Sequence, residues 1–536
     1  ERRPFIMPKN NETNYQDYFN LPNPGLRSYF DIVRRGQPDE YRTTFAKGSS
    51  VQKVLHEWEP FVKTLSDKWP TLVEFENDLR AKVGPMSVMK PLSERMGDID
   101  HYYDDILLSS APIHERALKA VEYEWKQAQG MRLRSPQHTM DLMKKSTNSG
   151  SPYFTKRRDV ASKTLPCTIF TKGQDVSQLL SDNYWKACAV LGWRGQEGGP
   201  DKTDVKQRVV WMFPFAVNVA ELQVYQPLIE CAQRFNLVPA WVSMEAVDER
   251  ITRLFDTKGP DDLIICTDFS KFDQHFNHSL QDAAKSILAH ILTPNSESHR
   301  WLEQIFPVKY MIPLSYDYGK IRHGRHGMGS GSGGTNADET IAHRALQYEA
   351  AICNGQRLNP NSQCLGDDGI LSYPNITVED VVRSYTQHGL EMNPDKQYAS
   401  KQDCTYLRRW HHQNYRVDGV CVGVYSTYRA LGRLCEQERY YDPEEWGPKM
   451  VALRQLSIIE NVKYHPLRDQ FAEFCMKRDK YRLGIDIPGF LDDIQAIASK
   501  ATENMPDFLG YTKSQQKGAE SGIADWWIVK YLKSHS

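Results

Sequence analysis

Apolar residues along this chain fall into two kinds of pattern, the short unbroken run and the helical stripe. Leu263, Ile264, Ile265 and Cys266 lead up to Asp268, and Cys364 and Leu365 lead up to Asp367 and Asp368, with Ile370 and Leu371 beyond. Runs this short, bounded by acids and glycine, predict buried strands: one over 262–269, and a hairpin over 364–373 with the acids at its turn. Helical stripes occupy 60–145, as in WEPFVKTLSDKW and ERALKAVEYEWKQAQ, the stretch SLQDAAKSILAHIL from Ser279, and 336–351. Another helix is predicted from Thr377 to His388, with Thr377 and Asp380 spaced as a capping box and Gly389 as the C-terminal cap. Two strands follow, around Thr405–His411 and Val417–Tyr425, and then mainly helix to Ser536, with a Gly- and Lys-rich loop at 511–522.

Residues 1–60 are rich in Asn, Pro and Tyr with weak periodicity, which predicts an extended arm packed over something larger. Ser146–Arg158, STNSGSPYFTKRR, has the composition of an ordered turn with a basic exit. There is no internal repeat and no low-complexity linker, so one continuous architecture is expected, an α+β arrangement with helices on one face of a sheet.

Composition narrows this picture. The 536 residues are 40% hydrophobic, 11% aromatic and 25% charged, as in a folded globular protein, with no case for extensive disorder. No apolar stretch approaches the roughly 18 residues of a membrane helix, so no membrane span is expected. A net charge of −1 gives no global pull toward nucleic acid. Basic residues do cluster locally, at Lys156, Arg157 and Arg158, at Lys202, Lys206 and Arg208, at Arg322 and Arg325, and at Arg408 and Arg409. These fit either a positively lined internal channel or ordinary solvated charges. Ten cysteines without a CxxC pair point to reduced thiols rather than a disulfide framework or a zinc site.

The acids carry the chemistry. Carboxylates at the ends of buried strands are costly unless a cation compensates them. Oxygen-only ligands suit hard ions, so Mg²⁺ or Mn²⁺ is expected, and two such ions about 3.5–4 Å apart serve in-line phosphoryl displacement. Asp268, Asp367 and Asp368 are the candidate ligands, separated by a Gly-rich segment, SGSGGTN, at 330–336.

DFSKFD, SGSGGTN and LGDDG in this order resemble the motifs of viral RNA-dependent RNA polymerases, those of picobirnaviruses in particular, closely over 146–410 and loosely over the whole chain. The resemblance implies a right-hand fold with an antiparallel palm sheet, closed by the N-terminal arm. Its divisions would be the arm at 1–60, fingers at 61–261 and 279–325, palm at 262–278 and 326–425, and thumb with a C-terminal loop at 426–536. It implies RNA copying from ribonucleoside triphosphates on an RNA template, for a double-stranded RNA genome. The setting would be the virion interior and host cytoplasm, with capsid protein as a partner and no membrane.

Residue by residue, the resemblance makes Asp268, Asp367 and Asp368 catalytic metal ligands. Asp273 senses the ribose 2′-hydroxyl, with Ser330, Thr335 and Asn336 around the nucleotide. Many relatives carry Asn four residues after the Thr, where this chain has Glu339, and Asn336 is expected to take that place beside Asp273. Lys396, in GLEMNPDKQ, would protonate the departing pyrophosphate. Lys206 and Arg208 would cradle the triphosphate. Ser149, Gly150, Pro152 and Gly331 would border the template, and Arg408 and Arg409, in TYLRRW, would grip the primer. A reverse transcriptase shares such carboxylates, although Asp273 in place of an aromatic argues against it, and a catalytically silent RNA-binding protein is the third reading.

Overall fold

Ile264–Thr267 lies at the heart of the molecule, in a four-stranded antiparallel sheet ordered Gln363–Leu365, Asp368–Leu371, Ile264–Thr267, Tyr398–Ser400. The computed structural model describes residues 14–181, 183–504 and 522–536. Alternate residues of the central strand enter different cores. Ile265 and Leu371 join the main core with the helices Thr335–Cys353 and His278–Ile291, whereas Ile264, Cys266 and Ile370 pack against Val247, Ile251 and Leu254 of the helix Met244–Thr257 and against Cys404 and Tyr406. Both faces are therefore covered, one more than expected. That is why the strand reads as a continuous apolar run rather than an alternation.

The predicted helices form at His278–Ile291, Thr335–Cys353 and Val378–Thr386. Asn277 caps the first with its side-chain oxygen. In the last, Thr377 Oγ1 accepts the Asp380 amide at 3.1 Å, but the Asp380 carboxylate turns to Arg383 instead of returning to the cap, so only half of a capping box exists. Two regions differ from expectation. The described part of 1–60 is substantially helical: Pro24–Arg35, capped by Asn23, buries Leu26, Phe30 and Val33, and Val51–Lys63 buries Val54, Leu55, Trp58 and Val62. The spacing of these apolar residues is that of one helix face. The expected strand Thr405–His411 is instead a hairpin, Asp403–Tyr406 against Arg409–His412, and only Val424–Tyr425 of the second expected strand is extended in a sheet.

Five further strands between 167 and 212 had no clear signature. Cys167–Lys172, Asp175–Leu180 and Asn183–Lys186 form one sheet; Ala189–Gln196 and Lys206–Met212 join Leu314–Asp317 and Lys320–Arg322 in another. Residues from Phe45 to Val83 share a core with Trp410–Leu532, so the N-terminal chain reaches across to the C-terminal helices. Trp58 Nε1 donates to Thr427 Oγ1 at 2.7 Å within that contact. Most of the loop at 511–522 lies outside the described residues.

Candidate active site

Strand pairing sets the acids side by side. Thr267 stands opposite Gly369, so Asp268 and Asp368, one step beyond on each strand, face each other across neighbouring strands, with Asp367 at the hairpin turn. Adjacent strands lie about 4.8 Å apart. The three are thus gathered by backbone geometry, although among the described residues no three His, Cys, Asp or Glu side chains close on a single point as a metal shell.

The turn is held from beneath by the helix Thr335–Cys353. Thr340 Oγ1 accepts the Gly366 amide at 2.9 Å, and His343 Nδ1 donates to the Gly366 carbonyl at 2.8 Å. Burial pushes His343 down to about 4, so the ring is neutral at physiological pH. On the other side the Leu407 amide donates to Asp368 Oδ2 at 2.8 Å. Leu407 and Arg408, at φ 52° and 60°, occupy the left-handed region that non-glycine residues seldom enter. The strain sits at the tip of the hairpin that touches Asp368.

Like charges crowd the site. The Asp367 carboxyl is open to solvent yet walled by protein, and burial, then Asp273, push its pKa up, with Arg208 pulling it back. Burial and Asp367 push Asp368 up to about 7. Glu339, almost fully buried, is pushed far above the usual carboxylate range by burial and by Asp273, to which it is hydrogen-bonded. Two carboxyls in hydrogen-bond contact share a proton. Oxygen-only donors, mutual repulsion and elevated proton affinity are what a hard divalent cation would relieve, so the residues present fit such an ion.

Opposite the acids, Lys206 and Arg208 are exposed on one side of the strand Lys206–Met212. Arg208 acts on Asp367, and Asp268 on Lys206. Lys82, which the sequence did not single out, also faces Lys206 and with burial and Arg408 lowers its pKa. The Gly-rich segment passes close by: a Cβ at Gly331 would lie 1.5 Å from the Trp211 carbonyl oxygen, so only glycine lets the loop lie against this strand. Ser330 Oγ donates to Val209 O at 3.4 Å, and Thr335 Oγ1 to Gly329 O and Ser332 O at 3.2 Å each. Lys396 lies exposed on the short turn Pro394–Lys396.

Several expectations change. Asn336 Oδ1 accepts from Trp241 Nε1 at 2.8 Å, and the side chain bonded to Asp273 is Glu339. Arg409 is not available to a primer phosphate: its guanidinium grips Asp248 through Nη1 and Nη2 at 2.9 and 3.2 Å and donates to Gly423 O. Arg408 beside it reaches toward Asp368 and forms an ion pair with Glu197 at 3.7 Å. Ser149, Gly150 and Pro152 are buried, so they shape a loop instead of lining a path. The Ser149 carbonyl accepts the Phe215 amide at 2.8 Å, Gly150 at φ 63° lies against Phe213 O, and the Pro152 carbonyl accepts the Asn20 amide at 2.9 Å. Arg322 is likewise buried, paired with Asp100 over the Tyr103 ring.

Comparison with known proteins decides what this arrangement belongs to. Residues 117–421 match the viral RNA-dependent RNA polymerase family. A protein of human picobirnavirus (strain Human/Thailand/Hy005102/-), described as a potential RNA-dependent RNA polymerase, is 63% identical over 526 residues, 97% of this chain and 98% of its own length. The chain is a viral RNA-dependent RNA polymerase. The crystal structure of the RNA-dependent RNA polymerase of a human picobirnavirus is similar to this polymerase at a TM-score of 0.94 and 63% identity, covering 97% of this chain and 99% of that one. An insertion-loop deletion mutant of a human picobirnavirus polymerase gives 0.91 and 61%, with the same coverages. The right-hand fold is thereby established, and the reverse-transcriptase and catalytically silent readings fall away.

Proposed function

We propose that this polymerase joins ribonucleotides by two-metal nucleotidyl transfer centred on Asp268 and Asp367. The single observation that carries the proposal is the pairing of Ile264–Thr267 with Asp368–Leu371, which sets Asp268 beside the Gly366–Asp368 turn opposite Lys206 and Arg208. The primer 3′-hydroxyl loses its proton to solvent as its oxygen forms a bond to the α-phosphorus, the α–β bridging P–O bond breaks, and pyrophosphate leaves. Two Mg²⁺ or Mn²⁺ ions, held by Asp268, Asp367 and more weakly Asp368, would lower the pKa of the attacking hydroxyl and neutralise the leaving group.

Arg208 and Lys206 hold the triphosphate, Arg as a planar fork and Lys as a point charge. Asp273 accepts the ribose 2′-hydroxyl, held in place by Glu339, with Ser330 and Thr335 near the nucleotide and Gly331 bringing the loop close. Lys396 gives its proton to the pyrophosphate, and Arg408 contacts the primer backbone. The same reading assigns palm to 262–278 and 326–425, fingers to 61–261 and 279–325, and thumb to 426–536. Residues 1–60 act as the bridge, a role supported by the shared core of Phe45–Val83 with Trp410–Leu532. The same reading has the polymerase copy a double-stranded RNA genome, inside the virion against capsid protein and in host cytoplasm.

Divalent-ion-dependent incorporation of labelled NTPs on a short RNA template tests the proposal. Asp367→Ala is expected to abolish incorporation while RNA binding and folding persist, and normal elongation by that variant would overturn it.

A further inference from the structure

Asp268 lies one residue beyond the end of a β-ladder. Tyr398–Ser400 pairs with Ile264–Thr267 as far as Tyr398 opposite Cys266. Past that point the partner chain turns away through Pro394–Lys396, so no strand backbone remains to satisfy the Asp268 peptide. A side chain takes over. Gln397 Oε1 accepts the Asp268 amide at 2.7 Å, and Gln397 Nε2 donates to the Asp268 carbonyl at 3.0 Å. The same Nε2 donates to the Asn393 carbonyl at 2.8 Å, closing the turn that carries Lys396. Gln397 is 8% exposed, so water cannot readily replace it. A backbone bond from the Ser270 amide to the Glu391 carbonyl, 3.0 Å, flanks the clamp.

We propose that Gln397 is a positioning residue that fixes the direction from which Asp268 enters the metal site and couples that direction to the turn bearing Lys396. The inference rests on the proposed role of Asp268 as a metal ligand and of Lys396 as acid. A carboxylate on an untethered residue swings with rotation about φ and ψ, whereas the amide and carbonyl of Asp268, which belong to the peptide units on either side of its Cα, are both held by one planar side-chain amide. Glutamine is required because the two groups demand one acceptor and one donor from the same side chain. The donor serves the Asp268 and Asn393 carbonyls together, so a shift of the Lys396 turn pulls on the Asp268 peptide. Glutamate keeps the acceptor and loses the donor; methionine fills the space and loses both.

Two measurements on Gln397→Met and Gln397→Glu test this, one of them independent of activity. Hydrogen exchange of the metal-free protein is expected to show the Asp268 amide at least about tenfold faster in Gln397→Met and protected in Gln397→Glu, since loss of a main-chain hydrogen bond is felt at that scale. The Mg²⁺ concentration for half-maximal activity is expected to rise about tenfold in Gln397→Met, the usual size of an outer-shell effect, and by less in Gln397→Glu. RNA affinity and melting temperature should stay near wild type. Wild-type exchange and wild-type Mg²⁺ dependence in Gln397→Met would overturn the inference, as would a uniform loss of stability, RNA binding and activity in both variants. Asp268→Ala separates this from the reading beneath it: if that variant stays active the metal assignment fails, and if it is dead while Gln397→Met is normal only the clamp fails.

Discussion

The main-chain amide of Leu407 donates to Asp368 Oδ2 at 2.8 Å, tying the second aspartate of the Gly-Asp-Asp turn to the tip of the neighbouring hairpin. One oxygen of Asp368 is thus engaged by protein, whereas Asp367 stands open at the turn. The two acids should not be equivalent. Asp367→Asn is expected to lower incorporation by roughly 10³-fold, the scale of losing transition-state charge stabilisation, and Asp368→Asn by about tenfold. Single-turnover rates at saturating NTP check the order; equal losses would contradict it.

Asp368 also predicts a pH dependence. In the metal-free protein its folded pKa is about 7, against about 3.9 for an unfolded Asp. Between those values the folded chain holds the extra proton, so the stability this group contributes is complete below the lower value and is lost as pH rises through the higher. Melting curves at pH about 5 to 8 should show wild type losing ground relative to Asp368→Asn as pH rises, and Mg²⁺ should erase that difference. A gap that stays constant with pH would count against the shift.

Burial and Asp273 push the Glu339 carboxyl toward its protonated form, in which it donates to Asp273. Glu339→Gln, which still donates, should therefore keep the preference for NTP over dNTP. Glu339→Ala should relax it by about 10- to 100-fold, since a buried polar partner is then left unpaired. The ratio of kcat/KM for NTP to that for dNTP is the measurement.

Arg408 and Arg409 are neighbours with different work. Arg409→Ala strands Asp248 and should cost about 3 kcal/mol of stability, as breaking a buried pair does. Arg408→Ala should leave the melting temperature nearly unchanged and reduce the salt slope of RNA binding by about 1.

Gly331→Ala places a methyl 1.5 Å from the Trp211 carbonyl. The loop must move off the strand bearing Lys206 and Arg208, and NTP affinity should fall sharply even if the protein folds, as a KM titration would show.

Much of the site was legible because its signals are local. The apolar run before Asp268, the Gly-Asp-Asp turn and the Gly-rich segment each fall within a few residues, where period and turn chemistry act directly on the backbone. The residues that changed role have their partners far away: Arg409 on Asp248, Asn336 on Trp241, Ser149 on Phe215. Nothing beside Arg409 in the chain distinguishes it from Arg408. The missed residues have the same cause, since Thr340, His343 and Leu407 serve the site only because their elements dock there.

The sequence by itself determined which atoms this polymerase offers to the proposed chemistry: oxygen donors from aspartates at strand ends, glycines where backbones meet, and basic side chains suited to phosphate. Tertiary structure alone decided which of those groups are free to act. A charged side chain is spent or available according to the partner it finds on folding. That partner is chosen by the packing of strands and helices remote in the chain, where burial makes an unpaired charge costly, as it does for Arg409 on Asp248.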